Sequence, residues 1–238
     1  AKRALENISL DDINAELFKP ENLRLFQSCA HRLGYLHDFE KARELGLSWI
    51  QPGAPLGNIA ACSEKYLVAL DYVAPVFPEV ILRAIERAAI DPKFTSRENG
   101  NFTRFVRLLC HLAYEDETFD RAAEVLLKFA ETEKAGENYN SIVGQMRQLF
   151  SLHLSGTEAT PERRRAFVQR LLNSDNQRHR EIARELLRSA FEAHQWTSFG
   201  MFHFGARKRG PGWRPKTHGE RIAWYVDYIK MLQPVFDS

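Results

Sequence analysis

FTRFVRLLCHLAYEDETFDRAAEVLLKFA, residues 102–130, decides the fold. Phe102, Phe105, Val106, Leu109 and Leu112 recur at helical spacing, and Phe119, Ala123, Leu126, Leu127 and Ala130 repeat the pattern in a second segment. Residues three and four apart share one face of a helix, so each segment carries a single apolar stripe. The stretch therefore reads as a pair of amphipathic helices.

The same pattern extends outward in both directions. Upstream, a helix from Ser63 places Leu67, Leu70, Val73 and Ala74 inward. Pro75 ends it, and Pro78 opens a partner that buries Ile81, Ala84, Ile85 and Ala88, since proline is tolerated only in a first turn. Nearer the N-terminus, Ser9 caps a helix with Leu10, Ile13 and Leu17 on one face, and Pro20 interrupts it. Leu23, Phe26, Ala30 and Leu33 follow with Gly34 as the stop, and Asp38 caps a helix carrying Phe39, Ala42 and Leu45. Gln51 to Asn58 (QPGAPLGN) must be a loop. Downstream, Ile142, Met146, Leu149 and Phe150 share a helix, and Ser155-Gly156-Thr157 breaks it. Thr160 and Pro161 open another with Phe167, Leu171 and Leu172. Asp175 leads into Ile182, Leu186, Leu187 and Ala190, and Ile222, Val226, Ile229 and Leu232 form the last helix. The one short strand-like run is Met201–Phe204.

First helices of successive pairs begin near residues 22, 63, 102, 140 and 177, a period of roughly 40 residues, as in HEAT or armadillo units. Each pair has more apolar surface than it can bury alone, so stacking is expected. The expectation is a single all-α, α-solenoid domain over 1–238, part of a longer protein. Because the repeats do not match residue by residue, an irregular all-α bundle stands as the alternative.

Composition narrows the function only by exclusion. The 238 residues are 44% hydrophobic and 27% charged, with a formal net charge of +2, so no overall basic character argues for nucleic acid. The three cysteines, Cys29, Cys62 and Cys110, are widely spaced and odd in number, which favours a reducing, cytoplasmic setting over a disulfide framework. No apolar run is long enough for a membrane span. Gly205-Ala-Arg-Lys-Arg-Gly210 has phosphate-loop glycine spacing, but Pro211 and Gly212 stand where Lys and Ser/Thr must be. His-Glu-x-x-His and Gly-x-Ser-x-Gly motifs are absent from the sequence. No catalytic, cofactor-binding or metal-ligating residue is expected. Glu162-Arg163-Arg164-Arg165 and the Arg178–Arg188 helix read as solvated outer faces.

Thr197–Gly219 stands apart from this helical pattern. It contains Phe202, Phe204 and Trp213 among Arg207, Arg209, Arg214 and Lys216, with glycines and prolines between them. Three readings fit, in this order. The segment is a structural clasp whose aromatics plug the helical stack, a loop that binds a protein partner or other domains of the same chain, or a nucleic-acid-binding loop over 207–216.

Several ordered phrases resemble one family. They are Trp49–Leu56 (WIQPGAPL), Leu70–Glu86 (LDYVAPVFPEVILRAIE), Leu108–Tyr114 with Phe119–Leu127, and Leu149–Thr157 (LFSLHLSGT). Phe202–Arg207 (FHFGAR), Gly212–Thr217 (GWRPKT) and Trp224-Tyr225 complete the set. Together they are similar to the helical region that follows the ATPase module in bacterial STAND-type (AAA+-related signalling) NTPases. The family pattern has Arg-Asp-Tyr-Gly-Trp where this chain has Arg209-Gly210-Pro211-Gly212-Trp213. The resemblance implies a non-catalytic sensor or regulatory scaffold. It would recognise a trigger or hold its protein inactive, in some members as part of antiphage defence.

Overall fold

The computed structural model describes residues 8–36, 38–134, 141–192 and 203–236, with side chains to 232. The chain is all-α. Its helices are α1 (Leu10–Leu17), α2 (Leu23–Leu33), α3 (Glu40–Ser48), α4 (Glu64–Val73), α5 (Pro78–Ala88) and the single turn α6 (Pro92–Thr95). They continue as α7 (Phe102–Leu112), α8 (Asp116–Glu131), α9 (Ile142–Gln148), α10 (Pro161–Leu172), α11 (Gln177–Phe191) and α12 (His218–Phe236). Among the described residues no strand forms; the nearest approach is an isolated bridge between Phe204 and Arg207.

The sequence period is realised at Leu23, Glu64, Phe102, Ile142 and Gln177, where α2, α4, α7, α9 and α11 begin. Local chemistry fixes several of these ends. Ser9 Oγ accepts the Asp11 amide, Ser141 Oγ accepts that of Gly144, and Thr160 Oγ1 accepts that of Arg163, each satisfying a first-turn donor with no intrahelical partner. Pro78 and Pro161 occupy first helical positions. At α3 the N-cap is Phe39, one residue beyond the predicted Asp38.

The chain divides into two compact units: residues 1–94 with 203–208, and residues 95–202 with 209–238. The division falls in the connection between α5 and α7, bracketed by Asp91-Pro92 and Asn99-Gly100-Asn101. Connections of this kind separate the other helix pairs too, so periodicity alone gives no sign of the division.

In the first unit, Phe26 is fully buried and meets Trp49 at 4.7 Å, Tyr66 at 5.6 Å and Phe18 at 6.1 Å between ring centroids. Trp49 is also fully buried and donates its indole N–H to Asn14 Oδ1 at 2.9 Å, so its one polar atom is satisfied. The predicted loop folds back on α3 through Leu56 N–H to Trp49 O.

In the second unit, α7 packs on α8 and α10 on α11, while α9 touches α7, α8 and α11. Phe119, Phe150 and Phe167 form a continuous ring series at 5.8 and 5.6 Å. The Ser151–Thr160 loop is unusually buried for its polarity, with Ser151, Ser155 and Thr157 all at 1% exposure or less. Thr157 Oγ1 explains how it survives burial. It donates to Ala113 O at 2.6 Å and accepts the Ala159 amide at 3.1 Å.

Candidate functional site

Phe202 lies outside the described residues; the other candidate residues are placed. Residues 203–208 belong to the first unit. Phe204 is buried at 4% exposure, and Arg207 N–H returns to Phe204 O to close a tight turn. Gly205 makes the turn at φ +59°, and a Cβ there would stand 2.8 Å from the Pro75 ring. Arg207 Nε donates to Pro75 O at 2.5 Å, just beyond the end of α4. His203 and Lys208 are exposed.

Residues 209–217 belong to the second unit. The Arg209 side chain is only 3% exposed. Its Nη1 donates to His111 O at 2.7 Å, its Nη2 reaches Glu115 Oε1 at 3.4 Å, and its guanidinium lies 4.4 Å from the Tyr114 ring centroid. Tyr114 Oη in turn accepts the Gly210 amide and donates to Glu158. Pro211–Trp213 then pairs along the polar loop: Gly156 N–H to Pro211 O at 2.9 Å, and Trp213 N–H to Thr157 O at 2.7 Å. Gly212 sits between them at φ +91°, with a would-be Cβ 2.4 Å from Thr157 O. Pro211 offers its carbonyl in this pairing and needs no N–H of its own. Arg214 and Lys216 are exposed.

Trp213 is half-buried. Its ring stacks on Trp224 at 5.9 Å and 21°, and Trp224 donates its indole N–H to Ala190 O. Against these rings lies Arg164, fully buried, 5.4 Å from the Trp213 centroid and 4.8 Å from that of Trp224. This corrects the sequence reading of residues 162–165 as a solvated face. Arg163, with its side chain 39% exposed and paired with Asp116 and Asp120, fits it; Arg165 pairs with Glu162 and Asp227 but is only 18% exposed. Arg164 does not fit it. A signal for this was present: positions 164, 167, 168 and 171 share the inward face of α10, and the last three are Phe, Val and Leu.

Charge in this region is set by burial. Burial, aided by the neighbouring Arg209 and Arg107, lowers the His111 pKa to about 4, so the ring is neutral at pH 7. The Arg164 pKa is lowered to about 10, chiefly by desolvation, and the guanidinium stays charged. Burial also raises Cys110 to about 12 and Cys62 to about 11, leaving both thiols protonated and poorly nucleophilic.

One further cluster escaped the sequence analysis, because its members lie far apart in the chain. Ser174 Oγ is 3.0 Å from His179 Nδ1, and His179 Nε2 is 2.5 Å from Glu131 Oε1. Serine, imidazole and carboxylate in a row resemble a hydrolytic triad, but the ring nitrogens are used in the reverse order. Ser174 Oγ also accepts the Asn176 amide at 3.2 Å, as a turn residue does before a helix. The cluster ties the start of α11 to the end of α8. Among the described residues no group of His, Cys, Asp and Glu is placed to hold a metal ion, and no helix is long and apolar enough to cross a membrane.

No protein-family model, curated protein or solved structure matches the chain.

Proposed function

We propose that this chain is a non-catalytic sensor or regulatory scaffold that works through protein–protein contacts, in the manner its resemblance to bacterial STAND-type NTPases implies. It would recognise a trigger, or hold the protein that contains it inactive, in the bacterial cytoplasm. The observation that carries this reading is the use of the most basic stretch: Arg207 and Arg209 donate to the main-chain oxygens of Pro75 and His111. Their chemistry serves the fold, which favours the clasp over a ligand loop. The face of α12 with Ile222, Val226 and Ile229, 38–53% exposed, remains as apolar surface for contacts.

Two experiments test it. The purified chain is expected neither to bind nor to hydrolyse ATP, and a serine-reactive phosphonate probe is expected to leave Ser174 unlabelled. Turnover that persists through repeated purification, or labelling abolished by His179→Ala, would overturn the non-catalytic reading.

A nucleic-acid-binding module is the second reading, favoured by the exposure of Lys208, Arg214 and Lys216. It predicts a salt-sensitive gel shift that is lost on Arg214→Glu with Lys216→Glu. Those two positions are better probes than Arg207 and Arg209, whose replacement would disturb the fold itself. An unshifted probe at low salt would exclude this reading.

A further inference from the structure

Within the second unit, Arg164 presents an electrostatic problem. Only its Nη1 is engaged, with Ser151 O at 2.9 Å and Leu149 O at 3.4 Å. Nε and Nη2 are buried without a hydrogen-bond partner, and so is Tyr228 Oη. Among the described residues no carboxylate pairs with Arg164. Glu158 and Glu162 are near enough to feel its charge, but Glu158 accepts from Tyr114 and Glu162 pairs with Arg165.

The indoles of Trp213 and Trp224 do not resolve this. An aromatic face attracts a cation, but the unpaired N–H bonds of a guanidinium need an in-plane acceptor. Leaving buried donors unmade is costly, and more so where charge is involved. Arg164 also stands in the first turn of α10, where the helix dipole disfavours a cation and favours an anion.

We propose that the interior of the second unit binds a small inorganic anion of halide size, held by Arg164 Nε and Nη2 with Tyr228 Oη as a further donor. The orphaned groups at this site are donors, and a halide accepts from all of them while neutralising the buried charge. Water would satisfy the hydrogen bonds and leave the charge standing. Size follows from enclosure, since Arg164, Trp224 and Tyr228 are at most 2% exposed. Trp213, which stacks on Trp224 and is half-buried, is the ring of this set that reaches solvent. Burial pushes the Tyr228 phenol up, so it remains a donor throughout the neutral range. The site is independent of any role in a signalling NTPase.

Bromide serves as the probe. Crystals of the chain soaked in sodium bromide are expected to show an anomalous peak beside Arg164 and Tyr228. At constant ionic strength, replacing sodium gluconate with sodium bromide should raise the unfolding midpoint. Once the site is half-filled, the rise is about 3–5 °C per tenfold increase in halide. Tyr228→Phe, which removes only an unpartnered hydroxyl, should keep the fold and lose most of that dependence. Arg164→Met should lose all of it. If Arg164→Met does not fold, the anomalous map of the unaltered chain and the Tyr228→Phe titration decide. Identical melting in gluconate and bromide, or a map with no bromide at this position, overturns the proposal.

Discussion

Replacing Gly212 with alanine tests how the second unit holds its polar loop. The glycine has φ +91°, and a Cβ would lie 2.4 Å from Thr157 O and 2.5 Å from Thr157 N. Both are backbone atoms fixed by the Thr157 hydrogen bonds, so the obstruction cannot rotate away as a side chain would. A non-glycine residue at such a φ costs roughly 1–2 kcal/mol. To relieve the contact the strand-like Pro211–Trp213 stretch must retreat, breaking the Gly156–Pro211 and Thr157–Trp213 hydrogen bonds, each contributing about 1 kcal/mol. The expected loss is about 3–4 kcal/mol. In urea, followed by tryptophan fluorescence, the transition of the second unit should move down by about 1–2 M. Gly210→Ala is the internal control: nothing lies within 4 Å of its would-be Cβ, so its effect should stay within about 0.5 kcal/mol. If Gly212→Ala unfolds with the unaltered chain, or Gly210→Ala falls as far, the packing argument is wrong.

Thr157→Val keeps the side-chain shape but leaves the Ala159 amide and the Ala113 carbonyl without their partner; a loss of about 1–3 kcal/mol is expected, and Thr157→Ser should restore most of it in thermal melts. His111 governs part of the pH dependence. Its folded pKa, about 4, lies below the ordinary value, so the unfolded chain binds the extra proton between roughly pH 6.5 and 4. Stability is therefore intact above that window and falls as pH drops through it, by up to about 3 kcal/mol; His111→Gln should flatten that slope, and an unchanged slope would refute the assignment. Trp213→Ala removes a half-buried ring, its stack on Trp224 and its contact with Arg164. The expected loss is about 2–3 kcal/mol, below that of a fully buried aromatic, and an unchanged melting midpoint would show that the ring holds nothing.

Helix positions were legible because their causes are local. Thr160 and Pro161 mark the start of α10 within two residues, and the stripes of α7 and α8 name their own buried faces. Three features were not. The division at residue 94 depends on which stripes meet, which periodicity does not encode. The burial of Arg164 was hidden by its neighbours, since three consecutive arginines average to a solvated run. Only the helical angle at position 164 separates it from Arg163 and Arg165. The Ser174–His179–Glu131 cluster was out of reach for another reason, as a separation of 48 residues between its ends leaves no spacing to read.

The basic segment shows why composition alone misleads about such loops. Arg207 meets Pro75 O just past the last turn of α4, and Arg209 meets His111 O within the last turn of α7. The final carbonyls of a helix have no intrahelical donor and carry the negative end of its dipole. In an all-α chain these ends are numerous, and a loop that crosses them needs cations for the same reason a phosphate binder does. Counting arginines therefore overstates the charge available to a ligand. Of the basic side chains between residues 207 and 216, those at 208, 214 and 216 are the exposed ones, and any claim for an anionic macromolecular partner rests on those three.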